Sequence, residues 1–367
     1  MQAFDALMDW FSQRMADLAV PGGAIGVAIG DQRFTRAIGV ADASTGAAFT
    51  TDTRFAIASL TKIFTATAAA TLAHDGTLHL NEPVRKHLPD VALADPASTA
   101  ALTVGDLLCH AGGWADLLEP IPGQDALAWY AAHLADLPQI ARPGTRFSYS
   151  NSGFMVAGAV IEQSGGFPCE EVIARTVLRP LGLVDTTFPD AHADGDHRAV
   201  GHLTAERPWT VIPRDAPRAI NPAAGLIATL DDILTFAQAH AEPDGGRLDP
   251  GILATMRNPR IAGGALGPFV ADEVGLGWML LRVGGERVLM AQGGDAGMIS
   301  AMLAVPSRRF AMVAFANSES ALLLPNEAMF RGLAAFLGLS LPDPETFHLS
   351  RTDMRAASGT FGLPGWL

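Results

Sequence analysis

The order in which the apolar period changes along the chain constrains its fold more than any other feature. Near the N-terminus, "GGAIGVAIGDQRFTRAIGVAD" holds two short apolar runs split by Gly30, Asp31 and Gln32, the pattern of a β-hairpin. From Ser59 to about His74 the period becomes helical: Ile63, Ala66, Ala70 and Ala73 recur at spacings of three and four, and Gly76 supplies a stop. From Asn81 to about Arg218 the chain reads as helices, among them "LTVGDLLCHAGG", "DALAWYAAHLADL" and "FMVAGAVIEQSGG", joined by loops rich in Gly and Pro. After Asn221 comes the helix "TLDDILTFAQAHA", then β-type runs at "GLGWMLLRV", "ERVLMAQGG", "MISAMLAVP" and "RFAMVAFAN", and a closing helix around Glu327 to Leu337. Strand-forming segments therefore lie at both ends, with a helical stretch inserted between them. This order predicts an α+β fold. Residues 1–80 and 215–340 form an α/β lobe whose antiparallel sheet is flanked by helices, residues 81–214 an all-helical lobe, and residues 341–367 a C-terminal tail.

Composition removes several function classes. A net charge of −13 and a sequence pI near 5.1 argue against binding phosphate backbones, which needs clustered Lys and Arg, so nucleic acid is not an expected partner. Cys109 and Cys169 stand alone, with neither the spacing of a zinc knuckle nor the numbers of a disulfide framework, and no metal or cofactor is expected. No apolar stretch approaches the roughly 20 residues that span a bilayer. The N-terminal segment carries Asp5 and Asp9 within an amphipathic pattern that places Phe4, Leu7, Phe11, Met15 and Leu18 on one side. With no basic leader ahead of an apolar run, the expected location is the cytoplasm.

Two pairs of scarce residues suggest chemistry. Only Lys62 and Lys86 are lysine, and Lys62 follows Ser59 by three positions in "ASLTKIFT". Tyr149, one of two tyrosines, precedes Asn151 by two in "FSYSNSG". A serine hydroxyl is a poor nucleophile until a base takes its proton, and a lysine is that base only when its ammonium is destabilised. Positions i and i+3 share one helix face, and both burial and the positive end of the helix dipole disfavour the charged lysine. A tyrosine hydroxyl relays a proton to a leaving group, and an asparagine amide holds both the lysine and a substrate carbonyl.

"FAIASLTKIFTATAAATLAHDGTLHLNEPV", "LTVGDLLCHAGG", "PGTRFSYSNSGFMVAGAVIEQSGG", "RPLGLVDTTF" and "NPAAGLIATLDDILTF" resemble the corresponding blocks of serine β-lactamase-like and penicillin-binding-protein-like hydrolases. That group includes class C β-lactamases, D-stereospecific peptidases, esterases and transacylases. The resemblance runs from about Ala24 to Asn317 and implies an active site at the junction of the two lobes. It matches Ser59 to the acylated serine, Lys62 to its lysine partner, Tyr149 to the general base and acid, and Asn151 to the polar contact with substrate. The third element is normally a strand with Lys or His, a small residue and Gly. Here it is matched to Gln292, Gly293 and Gly294, with the N–H groups of Ser59 and Asp295 as the oxyanion hole. Gln292 then puts a neutral amide where the family usually carries a cation. Loss of that charge-assisted bond argues against gripping a substrate carboxylate and favours ester or amide acyl transfer.

The resulting expectation is a serine hydrolase or acyltransferase acting on small-molecule esters or amides, most simply as an esterase. The alternatives are a biosynthetic transacylase or peptide-bond-forming enzyme, a D-amino-acid amidase or peptidase or weak β-lactamase, and a non-catalytic binding protein on the same fold. The loop "PDAHADGDHRAVGH", with Asp190, His192, Asp194, Asp196, His197 and His202, matches no metal-binding spacing and reads as solvated. Cys109 and His110 are adjacent helix residues that do not face each other, and read as core. Trp114 and Trp129 fit either the substrate cleft or the interior of the helical lobe. The tail is expected either to dock through Phe361 and Trp366 or to be the remnant of a lost or removed module.

Overall fold

The computed structural model describes residues 1–116, 119–121, 123–189, 197–203, 210–212, 216–266 and 269–340. The expected hairpin forms as β1 (Gly22–Ile29) and β2 (Gln32–Asp42), joined across Gly30 and Asp31. With β3 (Ala47–Ala48) they make one flank of a nine-stranded antiparallel sheet. The other flank comes from the far end of the chain: β4 (Ile261–Ala262), β5 (Glu273–Val274), β6 (Met279–Val283), β7 (Glu286–Asp295), β8 (Met298–Val305) and β9 (Phe310–Ala316). The spatial order is β3-β2-β1-β9-β8-β7-β6-β5-β4, so β1 pairs with β9 and closes the two ends into one sheet. The central strands β1, β8 and β9 are apolar at almost every position because helices cover both faces.

On one face, α1 (Gln2–Asp17) packs beside α7 (Leu324–Leu337) and over β1 and β2, burying Phe4, Leu7, Phe11 and Met15 in one apolar cluster with Leu303 of β8 and Met312 of β9. This is the amphipathic stripe of the N-terminal segment, now spent on the sheet. On the opposite face lie α2 (Thr61–His74) and α6 (Leu230–Ala241), whose Phe64 and Phe236 rings stack at 3.7 Å. α2 is buried along nearly its whole length, including Thr61, Thr65 and Thr67, whose hydroxyls bond back to main-chain carbonyls.

Between α2 and α6 the chain builds the second layer: α3 (Val104–Leu108), α4 (Leu127–His133) and α5 (Asn151–Gly165), with α5 packed on α2. Within residues 81–214 the described part also contains strand: Gly201–Leu203 pairs with Thr210–Ile212. His202 reaches from that ribbon to the large sheet, with Nδ1 against Asn317 O at 2.8 Å and Nε2 accepting from Ala43 N at 3.1 Å. Residues 197–203 thus belong spatially to the sheet end and not to the helices. No local pattern marks this, because the partners of His202 lie more than a hundred residues away. Residues Asp190–Asp196 of the His- and Asp-rich loop, and Phe361 and Trp366 of the tail, lie outside the described residues. No described helix is long and apolar enough to cross a membrane.

Candidate active site

Ser59 sits in a short 3-10 turn, Ala58–Leu60, that leads from the strand-like Phe55–Ala56 into α2. Ala58 adopts φ +48°, a left-handed conformation unusual for alanine. The turn is held by Thr61 Oγ1 donating to Ala58 O at 2.7 Å, Leu226 N donating to Thr61 Oγ1 at 3.1 Å, and Ser300 Oγ donating to Ile57 O at 2.9 Å. A backbone strained in this way and held from three sides presents the serine at the head of the helix.

One turn on, Lys62 is 2% exposed. Its Nζ lies 2.9 Å from Ser59 Oγ, 2.8 Å from Asn151 Oδ1 and 2.9 Å from Ala223 O. Two of the three contacts are carbonyl oxygens that only accept. A neutral amine satisfies both with its two N–H groups and turns its lone pair to Ser59. Burial drives this state, lowering the Lys62 pKa to about 7 against the opposing charge of Asp116. Tyr149 OH donates to Ser59 Oγ at 2.8 Å, and burial together with the nearby Asp116 charge raises its pKa against the opposing Ser59 bond. Tyr149 is therefore a neutral donor near pH 7. Lys86, the other lysine, only bonds Glu82 at the surface.

The residues from α2 and α5 thus meet around one hydroxyl, 90 positions apart in sequence for Tyr149 and Ser59. The β-lactamase family model matches residues 7–335. The chain belongs to the β-lactamase family. Among its relatives, penicillin-binding protein 4 of Amycolatopsis lactamdurans is 29% identical over 88% of this chain and 88% of its own. The D-alanyl-D-alanine-carboxypeptidase/endopeptidase AmpH of Escherichia coli K12 is 26% identical over 78% of this chain and 77% of its own. The solved structure of SurE superposes with a TM-score of 0.80 at 28% identity, covering 95% of this chain and 80% of that one.

The family's third element departs from the sequence reading. A two-residue turn, Ala296 (φ +46°) and Gly297 (φ +76°), joins β7 to β8, with Asp295 opposite Met298. Both central residues in the left-handed region make a type I′ turn, whose flanking pair exchanges both N–H···O bonds. Asp295 N–H is therefore committed to β8, as are those of Gly293 and Ala291 by the alternation of the ladder. Gln292 and Gly294 direct theirs to the other edge, which is open because β6 ends at Met279, opposite Met290. The exposed Gly294, not Asp295, thus offers the backbone donor on the cleft side.

Gln292 is likewise displaced. Its Oε1 accepts from Asn326 Nδ2 of α7 at 2.7 Å, on the sheet face away from Ser59. The face directed at Ser59 carries Ala291 and Gly293. A Cβ on Gly293 would run into Ile57 O and lie 2.6 Å from Ser300 Oγ and 3.0 Å from Ser59 N, so glycine is required there for the strand to approach. The strand pattern alone did not fix its register by one residue, which exchanges the two faces. An alanine, not an amide, occupies the position that meets the cleft in this family member.

Several groups around the site carry no chemical signal in the sequence. His110 is buried at φ +57°, stacks on the Tyr149 ring at 4.4 Å and accepts from Ser150 N through Nδ1 at 3.0 Å. Burial holds it well below the usual imidazole range, so it is a neutral shelf for the tyrosine. Cys109 is core, its thiol pushed up to about 12 by burial. Trp114 is 1% exposed and donates to Ser152 Oγ at 2.9 Å, which makes it interior. Trp129 stacks on His133 at 3.5 Å on α4. Asp116, a lone acid between apolar residues, and the Ala223 carbonyl carried no local signal because their partners are distant in sequence.

Proposed function

We propose that the protein is a serine hydrolase or acyltransferase that forms an acyl-enzyme on Ser59 with neutral ester or amide substrates, acting most simply as an esterase. The observation that carries this is the pair of short contacts on Ser59 Oγ, from a lysine biased toward its neutral form and from a tyrosine kept protonated. Neutral Lys62 takes the serine proton as Oγ attacks the carbonyl carbon. The N–H groups of Ser59 and Gly294 receive the developing oxyanion. Tyr149 passes a proton to the leaving group and recovers one from the Lys62 ammonium, and water or an added acceptor then resolves the ester. Asn151 holds Lys62 and faces the acyl side.

A carboxypeptidase, such as the AmpH relative is named, acts on a substrate that ends in a carboxylate. Beside Ser59 the β7 face offers Ala291 and Gly293, and the strand's one cation, Arg287, bonds Arg257 O and Glu273 at its other end, which favours substrates without a terminal charge. Replacing Ser59 with Ala should lower turnover of p-nitrophenyl acetate or butyrate at least about a thousandfold and abolish the fluorophosphonate adduct seen by intact mass. Retained turnover in folded Ser59→Ala protein would exclude the mechanism. Product analysis with and without an added amine separates transfer from hydrolysis.

A further inference from the structure

We infer that Asp116 is a positioning residue of this site: its carboxylate, reaching α5 from the loop after α3, aims Tyr149 and Asn151 and offsets the charge of Lys62. The inference rests on the reading of Ser59, Lys62 and Tyr149 given above. Asp116 Oδ1 accepts from Ser150 Oγ at 2.9 Å, Ser152 N at 3.0 Å and Ser152 Oγ, while Oδ2 accepts from Asn151 N. The α5 cap from its own chain neighbour, Ser150 Oγ accepting from Gly153 N at 2.8 Å, is thereby itself anchored on Asp116. A residue 35 positions away thus secures the first turn of the helix that carries Asn151, with Tyr149 two residues before it. Whatever moves this turn moves both the amide on Lys62 and the hydroxyl on Ser59.

The same carboxylate carries charge. Around Lys62, α5 and its approach present Tyr149, the loop after α3 presents His110 and Asp116, and Asn221–Ala224 presents no titratable side chain; on the β7 face that meets Ser59, Arg287 bonds Arg257 O and Glu273 at the far end of the strand, and Asp295 sits beside the turn. His110 and Tyr149 are neutral, which leaves Asp116 as the negative charge acting on the ammonium among the described residues. Burial alone would lower the Lys62 pKa further, and Asp116 raises it back toward neutrality. Asp116→Asn removes the charge and also points an NH2 at groups that are all donors. Asp116→Glu keeps the charge but shifts the oxygens by one methylene.

With two lysines in the chain, protein labelled with 13C at lysine Cε gives two resonances, which Lys86→Arg assigns. The Lys62 signal should titrate near pH 7 in the natural protein and about half a pH unit or more lower in Asp116→Asn. Asp116→Glu should leave that midpoint in place, and both variants should lose about tenfold or more in kcat for p-nitrophenyl acetate with less change in KM. An unshifted Lys62 midpoint in folded Asp116→Asn, or full kcat in Asp116→Glu, would overturn the assignment. Should Asp116→Asn not fold, the kcat of Asp116→Glu decides. Absence of esterase turnover in the natural protein would sink the catalytic reading, while the lysine titration would still decide for or against Asp116.

Discussion

Lys62 carries a burial penalty that depends on pH. Its pKa falls from the ordinary 10.5 to about 7 on folding, so the unfolded chain binds the proton more tightly. The destabilisation is complete below pH 7, shrinks as pH rises, and is gone above about pH 10.5. Lys62→Met, of similar length and without charge, should therefore raise Tm most at pH 6, with the advantage narrowing toward pH 10, while abolishing acylation of Ser59. A Tm gap that widens with pH would contradict the burial penalty. In the natural protein, kcat/KM should rise through pH 7 as the ammonium loses its proton, giving an acid limb with its midpoint there. Scarcity made Lys62 and Tyr149 conspicuous in the sequence. Asp116 was one acid among many, and only the fold brings its oxygens to the α5 N-terminus.

At the level of the element, β7 separates what a pattern can and cannot specify. The run "ERVLMAQGG" marks a strand, and its glycines mark a close approach, which Gly293 makes against Ile57 and Ser59. Its register was not legible, because alternating small and apolar residues fit either face until the type I′ turn at Ala296–Gly297 sets the pairing. Gln292 consequently bonds Asn326 on the α7 side. Gln292→Ala should leave kcat/KM for neutral and carboxylate-bearing esters within about threefold of their natural ratio, since the change is on the far face. A marked shift in that ratio would return Gln292 to the cleft. Gly293→Ala, in contrast, should cut kcat/KM by about a hundredfold or more, because the added methyl pushes the strand away from Ser59.

At the scale of the whole molecule, one buried amide ties the joined chain ends together. Asn317, fully buried at the end of β9, accepts from Gly22 N at 2.8 Å and donates to Val40 O and Ala41 O, each at 3.0 Å. Its own carbonyl accepts from His202 N at 3.1 Å. Asn317→Ala should cost about 2 kcal/mol in urea unfolding, because Gly22 N, Val40 O and Ala41 O each lose a hydrogen bond while Ala41 O keeps Val200 N, and the acid limb of the rate profile should stay in place. A loss under about 1 kcal/mol would mean that water or a neighbour replaces the amide. The sequence by itself determined the fold class and the two-ended sheet with inserted helices, and it singled out Ser59, Lys62, Tyr149 and Asn151, which the fold brings into contact. These are carried by local periods and by spacings of two and three residues, which the chain cannot disguise. The tertiary structure alone decided that Ala291 rather than Gln292 faces the serine, that the N–H of Gly294 rather than that of Asp295 is directed to the open strand edge, that residues 197–203 join the sheet, and that Asp116 caps α5. Each of those depends on strand register or on a partner tens to hundreds of residues away, where local sequence carries no record of what it will meet.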